Sequence, residues 1–403
     1  MAFPVTTTSW MKYRPRTVVH LNVADFAVAV ERLVDRGLAG RPVIIAPEGA
    51  ARAVVHDMSE EAYQAGVRKG MPLQRALRSC RGAAVLPPYP DRYERAMQDL
   101  FKEVLPYSPL IEPGETDGHL FIDVTGTTRL FGPPVDVAWR MYREIRKRLG
   151  FAPIWSVAAN KLVSKVASRL VKPIGEYIVG EGEEADFLSS LPVCLLPGIE
   201  GADLSRLREL NLSLVKQVAA LTADQLEIPF GKRAGFIFDT VRGIDPSPVP
   251  AAGEKPKIIT ASHEFGDDTN DVAAVETAVH RLVEKIGAGL RKRRKAARSL
   301  AIVVDYADGL RCFRQLSVQP PSANDITLFA VSRALLEKAW TRRVRLRHIR
   351  LTCAKPVHPQ SQMELFSETE PVARKHDDLI GAVDHIRNRF GEGAIRMGRA
   401  MAS

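Results

Sequence analysis

Cysteine is scarce and scattered. Cys80, Cys194, Cys312 and Cys353 are the only four in 403 residues, and no two have C-x-x-C spacing. That pattern excludes a cysteine metal cluster and a disulfide framework, and it fits a cytoplasmic compartment. Long apolar runs are missing as well. No stretch of about 18 apolar residues could span a membrane. The N-terminus MAFPVTTTSWMKYRPR has no apolar signal-peptide core, so residues 1–16 read as a flexible tail. Nor is there an acidic surplus: 57 Lys and Arg stand against 47 Asp and Glu, a net charge of +10. A basic balance favours a polyanionic partner, nucleic acid first. At 45% hydrophobic and 26% charged, the composition is that of an ordinary globular chain, long enough for about two to four domains.

The stretch RTVVHLNVADFAVAVE, Arg16 to Glu31, organises the rest. Thr17 to Val23 reads as a buried strand rich in β-formers. From Phe26 a helix begins, with Phe26, Val30 and Leu33 at i, i+4 and i+7. Further strands are expected at 41–46 and 81–87, and helices at 90–109 and after Asn160. IEPGETDGHLFIDVTG reads as a hairpin, with Leu120, Ile122 and Val124 alternating with Phe121 and Asp123.

These segments resemble, in order, those of the Y-family (DinB/UmuC-type) DNA polymerases. His20 to Glu31 matches H-I-D-M-D-A-F-F-A-S-V-E without a gap. VVHDMSEEAYQAGVRKGMP is similar to VVSTASYEARKFGVRSGMP of the finger segment. ANKLVSKVASRLVKPIG resembles APNKLLAKIASDLAKPDG, and RGIDPSPV resembles RGIDPRPV. The resemblance implies an α+β multidomain, right-hand architecture. Its palm would be 17–34 and 84–182, its fingers 35–83, and its helical thumb 183–250. The thumb's Pro197-Gly198-Ile199-Glu200-Gly201 is similar to a helix-hairpin-helix. A linker 251–257, a βαββαβ little finger 258–356 and a tail 357–403 would follow.

What the resemblance makes conspicuous is a set of missing residues. The family's metal-binding carboxylates fall on Asn22, Ala24, Gly118 and His119, and the bulky steric gate falls on Ala27. The triphosphate-holding Tyr and Arg fall on Glu60 and Tyr63; of those contacts only Lys172 survives. Neutral Asn is a poor ligand for hard Mg²⁺, and a two-metal reaction needs about three convergent carboxylates. The chain is therefore expected to bind no metal and need no cofactor, Mg²⁺ entering only if Asp25, Glu115 or Asp117 rebuild the site. Asp25, at an odd offset from Asn22 in an extended segment, would face the other way. Asp123 matches a family Asp outside the metal set and reads as structural.

DNA contacts are expected from Lys161 and Lys165 at i, i+4, from the cluster holding Arg291, Arg293 and Arg294, and from Arg343, Arg345 and Arg347. These last three would share one strand face. In the tail, Gln362-Met363-Glu364-Leu365-Phe366 resembles the bacterial clamp-binding pentapeptide, in which Gln, Leu and Phe (here Gln362, Leu365 and Phe366) dock in a pocket. The whole pattern is similar to a catalytically degenerate family member of the ImuB kind. Such a protein would be a damage-tolerance factor that binds primer-template or lesion DNA and the sliding clamp and brings an active polymerase, and an accessory subunit, to damage. Two other readings stay open: an active translesion polymerase using displaced acids, and a DNA-binding accessory protein without clamp contact.

Overall fold

The structure, a computed structural model, describes residues 16–47, 53–114, 116–254, 258–354, 356–359, 370–391, 394 and 395. Gln362, Leu365, Phe366 and Glu115 lie outside the described residues. The chain divides between Glu254 and Lys255 into two compact units.

The first unit opens with β1 (Val18–Asn22) and α1 (Phe26–Val34), followed by β2 (Val43–Ile45), β3 (Asp57–Met58), α2 (Glu60–Gln64), α3 (Leu73–Ser79) and β4 (Ala84–Leu86). Then come α4 (Pro90–Val104), β5 (Ile111–Pro113), β6 (His119–Asp123), α5 (Thr128–Phe131), α6 (Pro134–Leu149), β7 (Ile154–Ala158), α7 (Lys161–Leu170) and β8 (Glu176–Ile178). Five short helices close it: α8 (Glu184–Ser189), α9 (Ala202–Glu209), α10 (Val215–Ala219), α11 (Ala223–Phe230) and α12 (Ala234–Thr240).

β1 is the centre of a sheet ordered β5-β6-β1-β7-β8, antiparallel to both neighbours, which is why all five of its residues are buried. Strand alternation splits it. Val19 and Leu21 enter a core shared with α1, α4 and α6, including Leu100, Met141 and Ile145. His20 and Asn22 face the opposite side, where the Ser168 hydroxyl of α7 meets His20. The expected hairpin is present as β5 and β6, and Pro250 and Ala252 lie along the outer edge of β5 through Ile111 N–Pro250 O and Ala252 N–Pro109 O hydrogen bonds. β2, β3 and β4 make a second, three-stranded sheet packed on α2 and α3 around Ile44, Val55 and Ala62. The closing helices bury Leu188, Ile199, Leu207, Leu226 and Ile237.

The second unit runs β9 (Ile258–Thr269), α13 (Val272–Lys292), β10 (Ala297–Tyr306), β11 (Arg311–Ser322), α14 (Asp325–Ala339), β12 (Leu346–Ala354) and α15 (Glu370–Phe390). The order βαββαβ is as expected, and the sheet is β11-β10-β12-β9. α13 and α14 cover one face with Leu282, Ile286, Leu328 and Leu335, leaving the other face open. Among the described residues no helix is long and apolar enough to cross a membrane.

Candidate active site and nucleic-acid interface

Asn22 ends β1 directly opposite His119 on β6. Its side chain is 1% exposed, and its Nδ2 has no hydrogen-bond partner among the described residues. Beside it the hairpin turns through Gly118, at φ +78°. A Cβ there would lie 2.7 Å from the Val23 carbonyl oxygen and 3.0 Å from Phe26 Cβ, while the Gly118 carbonyl accepts from Val23 N at 3.0 Å. The turn has closed over the space that a carboxylate would need.

His119 is engaged with protein. Ser168 Oγ donates to the Lys165 carbonyl at 2.9 Å, so its lone pair accepts from His20 Nδ1 at 2.8 Å. His20 Nε2 is then an acceptor, and His119 Nδ1 donates to it at 2.9 Å. This relay needs a neutral His20, and the surroundings disfavour the charged form of both rings. Burial, with the positive field of Lys165, Lys172 and Arg169, pushes His119 down to about 4, although Asp117 pulls the other way. Burial and the neighbouring His119 hold His20 well below the usual imidazole range.

The described acids that the sequence offers as replacements are Asp25 and Asp117. The chain at Asp25 is not extended, because β1 stops at Asn22 and Asp25 is the N-terminal boundary of α1, at φ +48°. The expectation from strand alternation fails for that reason. Asp25 is pushed up to about 6 by burial and then by Asp57, against the pull of Lys172. Asp117 is exposed and accepts from the His119 backbone N–H at 3.2 Å. Asp123 is structural as expected: its Oδ1 accepts from Thr125 N at 2.9 Å. Among the described residues no three His, Cys, Asp or Glu side chains gather to hold a metal ion. An amide, a glycine and a neutral imidazole do not fit the family's Mg²⁺ pair.

The finger segment tells the same story. Ala27 is buried, and its N–H donates to Asp57 Oδ2 at 2.9 Å. Asp57 is a residue that sequence reading missed; an acid closely following Val54 and Val55 was its only signal. Burial raises it, against Lys69 and its backbone hydrogen bonds. Glu60 is held by Gln64 Nε2 at 3.1 Å, Glu61 pairs with Arg32 at 2.9 Å, and Tyr63 carries the Arg68 guanidinium 3.9 Å over its ring. Asp25, Asp57 and Glu60 thus present acid where a triphosphate would need cations. Lys172, exposed in the turn after α7, bears electrostatically on Asp25, His20 and His119.

On α7, Lys161 is drawn into an ion pair with Glu112 at 2.7 Å, which uses the charge that had been expected to meet DNA. Lys165 carries no ion pair among the described residues; burial and Arg169 lower its pKa. Both line a cavity of about 460 Å³ together with Phe121, Gly198, Phe236 and Asp245. The hairpin before α9 follows a single short turn at Val193–Leu195 rather than a full helix. Asp203 in the first turn of α9 pairs with Arg233, whose Nη2 also holds the Gly198 carbonyl at 2.6 Å. The helix N-terminus already has its anion.

In the second unit the charges are arranged differently from the expectation. The Arg291 guanidinium lies between Asp325 (2.6 Å) and Asp384 of α15 (2.5 Å) and also holds the Ala323 carbonyl, so its charge is already paired. Arg343, Arg345 and Arg347 do not share a strand face. β12 starts at Leu346, so Arg343 and Arg345 precede it, and Arg347 pairs with Asp268 at 3.3 Å. Arg343, Arg345 and Arg294 are exposed without an ion pair among the described residues, whereas Arg293 is partly buried. Arg350 was missed. It is exposed on the open sheet face, in a row running Ser262, Arg350, Val303 and Phe313. Alternation along β12 would have found it had the strand been started correctly.

Comparison with known proteins follows the same division. Residues 21–169 match the impB/mucB/samB family, and residues 256–365 match that family's C-terminal domain. DNA polymerase IV of Desulfatibacillum aliphaticivorans is 32% identical over 384 residues, covering 94% of this chain and 95% of that one. DNA polymerase IV of Caulobacter vibrioides is 30% identical, with 96% and 94% covered. Among solved structures, a Y-family DNA polymerase chimera, Dbh-Dpo4(243-245)-Dbh, superposes with a TM-score of 0.72 at 20% identity over 85% of this chain and 99% of that one. DinB from Sulfolobus solfataricus superposes at 0.60 with 20% identity, covering 85% and 100%.

Proposed function

The chain belongs to the impB/mucB/samB family of Y-family, DinB/UmuC-type polymerases, and from that premise we propose that it serves translesion synthesis as a DNA-binding scaffold without nucleotidyl transfer. The observation that carries this reading is Gly118. A carboxylate cannot be added there without the chain moving, because its Cβ would meet the Val23 carbonyl. Asn22 and the neutral His119 beside it offer Mg²⁺ no charged oxygen.

Binding in this scheme is the work of the second unit. Arg343, Arg345, Arg294 and Arg350 offer exposed guanidinium groups to the phosphates of primer-template DNA, a contact that is sequence-independent and weakens with salt. Gln362, Leu365 and Phe366 engage the sliding clamp, which places the protein at stalled primer ends and brings an active polymerase to them. Lys172 would hold a triphosphate against the acids Asp25, Asp57 and Glu60, an unfavourable setting for a polyanion.

The test is primer extension on undamaged and lesion templates with Mg²⁺ and with Mn²⁺, alongside DNA binding by the same preparation. Binding without incorporation is expected. Incorporation that disappears in Asp25→Ala or Asp117→Ala would overturn the proposal. Clamp capture by the full chain, lost in Leu365→Ala/Phe366→Ala, checks the second arm.

A further inference from the structure

The outer face of α6 is unlike an ordinary solvated helix surface. Val137, Ala138, Met141 and Ile145 bury its inner face. Outward, Trp139 is 44% exposed and stacks on Tyr142 with ring centroids 5.2 Å apart and planes 22° apart. Arg146 Nη1 donates to the Tyr142 hydroxyl at 3.0 Å and steadies that ring. Arg140, Arg143 and Lys147 are exposed on the same helix with no ion pair among the described residues. The acids nearby are accounted for. Glu144 is taken by Arg148, which also reaches Glu103, and Asp136 stands at the N-terminal end of the helix.

We propose that this face of α6 is a docking surface for single-stranded nucleic acid, separate from the side of the sheet that carries Asn22 and His119. An exposed Trp costs solvation, and stacking it on Tyr142 makes a flat platform of fixed orientation. Unpaired bases of any sequence stack on such a platform while neighbouring cations take their phosphates. Duplex DNA keeps its bases stacked on each other and cannot use it. The charge identifies a polyanion, and the aromatic pair identifies one with exposed π faces. The separation follows from strand alternation. α6 packs against the Val19 and Leu21 side of β1, whereas His20 and Asn22 face α7. A strand bound at α6 therefore does not compete for the side of that sheet which carries Asn22 and His119. The two fail independently.

The experiment measures binding of the full chain to an oligothymidylate of about 16 nucleotides, to an abasic strand of the same length, and to a blunt duplex without unpaired bases. Trp139→Ala/Arg143→Ala is expected to weaken oligothymidylate binding about tenfold and leave duplex binding unchanged. Trp139→Phe, which keeps a π face, is expected to retain most of the affinity. Arg343→Ala/Arg345→Ala is expected to show the converse pattern. Should the tryptophan variant not fold, Arg143→Glu/Lys147→Glu at exposed positions makes the same comparison. Unchanged oligothymidylate affinity would overturn the proposal. So would abasic binding as tight as oligothymidylate binding, which would reduce the face to charge alone. Tighter, Trp139-dependent binding of polyglutamate would assign it to an acidic protein instead and overturn the proposal equally.

Discussion

His119 Nδ1 donates to His20 Nε2 at 2.9 Å, with the two rings nearly parallel at 14°. At the position where the family carries a catalytic glutamate, this chain has a neutral imidazole locked to a second one. With His20 neutral, the proton positions follow from Ser168, whose single hydrogen is used on the Lys165 carbonyl.

This pair makes stability depend on pH. A folded His119 near 4, against an ordinary 6.5, binds fewer protons than the unfolded chain between those values. Its contribution is fully present above about pH 6.5 and is lost as the pH falls through 4. Urea unfolding at a series of pH values should show the decline, and His119→Leu should shrink it to the part owed to His20. In histidine NMR spectra the His119 resonance should titrate near 4.

Asp25 works in the opposite direction. Its folded carboxyl is raised from an ordinary 3.8 to about 6, so its opposition to folding grows between those values, is complete above about 6 and is absent well below 3.8. Asp25→Asn should stabilise the protein at pH 7.5 by about 1 kcal/mol after allowance for partial solvent exposure, and should change little at about pH 3. Asn also suits the left-handed backbone at φ +48°. Chemical denaturation at the two pH values decides it.

Gly118→Asp should not restore a metal site. The new Cβ would crowd the Val23 carbonyl at a positive φ, a strain of about 1–3 kcal/mol. A lower urea midpoint with no gain of primer extension in Mg²⁺ is the expected result.

Arg291→Ala should destabilise the second unit by about 3–5 kcal/mol, because it strands Asp325, only 3% exposed, with its charge uncompensated. Burial already raises the Asp325 carboxyl despite the guanidinium, and Arg291 is raised by its two carboxylates. The same substitution frees Asp384, so limited proteolysis should cut near α15 sooner. DNA binding by the folded fraction should be unchanged.

Arg343→Ala/Arg345→Ala should leave thermal unfolding unaltered. It should reduce the slope of log binding constant against log salt by about 2, since each exposed guanidinium releases about one counterion. Fluorescence anisotropy across a salt series measures this.

The sequence by itself determined the order of the elements and the family, and it set non-acidic residues where the resemblance expects carboxylates. Those are local facts. Apolar periodicity marks strands and helices; a gap-free motif places Asn22, Ala24 and Ala27, and the Asp123-Val124-Thr125-Gly126 anchor places Gly118 and His119, without any coordinates. Only tertiary structure decided which charges are available. Arg291 read as one of a basic run, yet its partners come from α14 and α15, far along the chain. Arg347 is neutralised by Asp268 of β9, and Lys161 by Glu112 of β5. Arg350 and the Trp139–Tyr142 platform gained significance only when neighbouring strands and helices left their faces uncovered. Ion pairing and exposure depend on which distant residues share a surface. Sequence spacing carries the period of each element but not the identity of what packs against it.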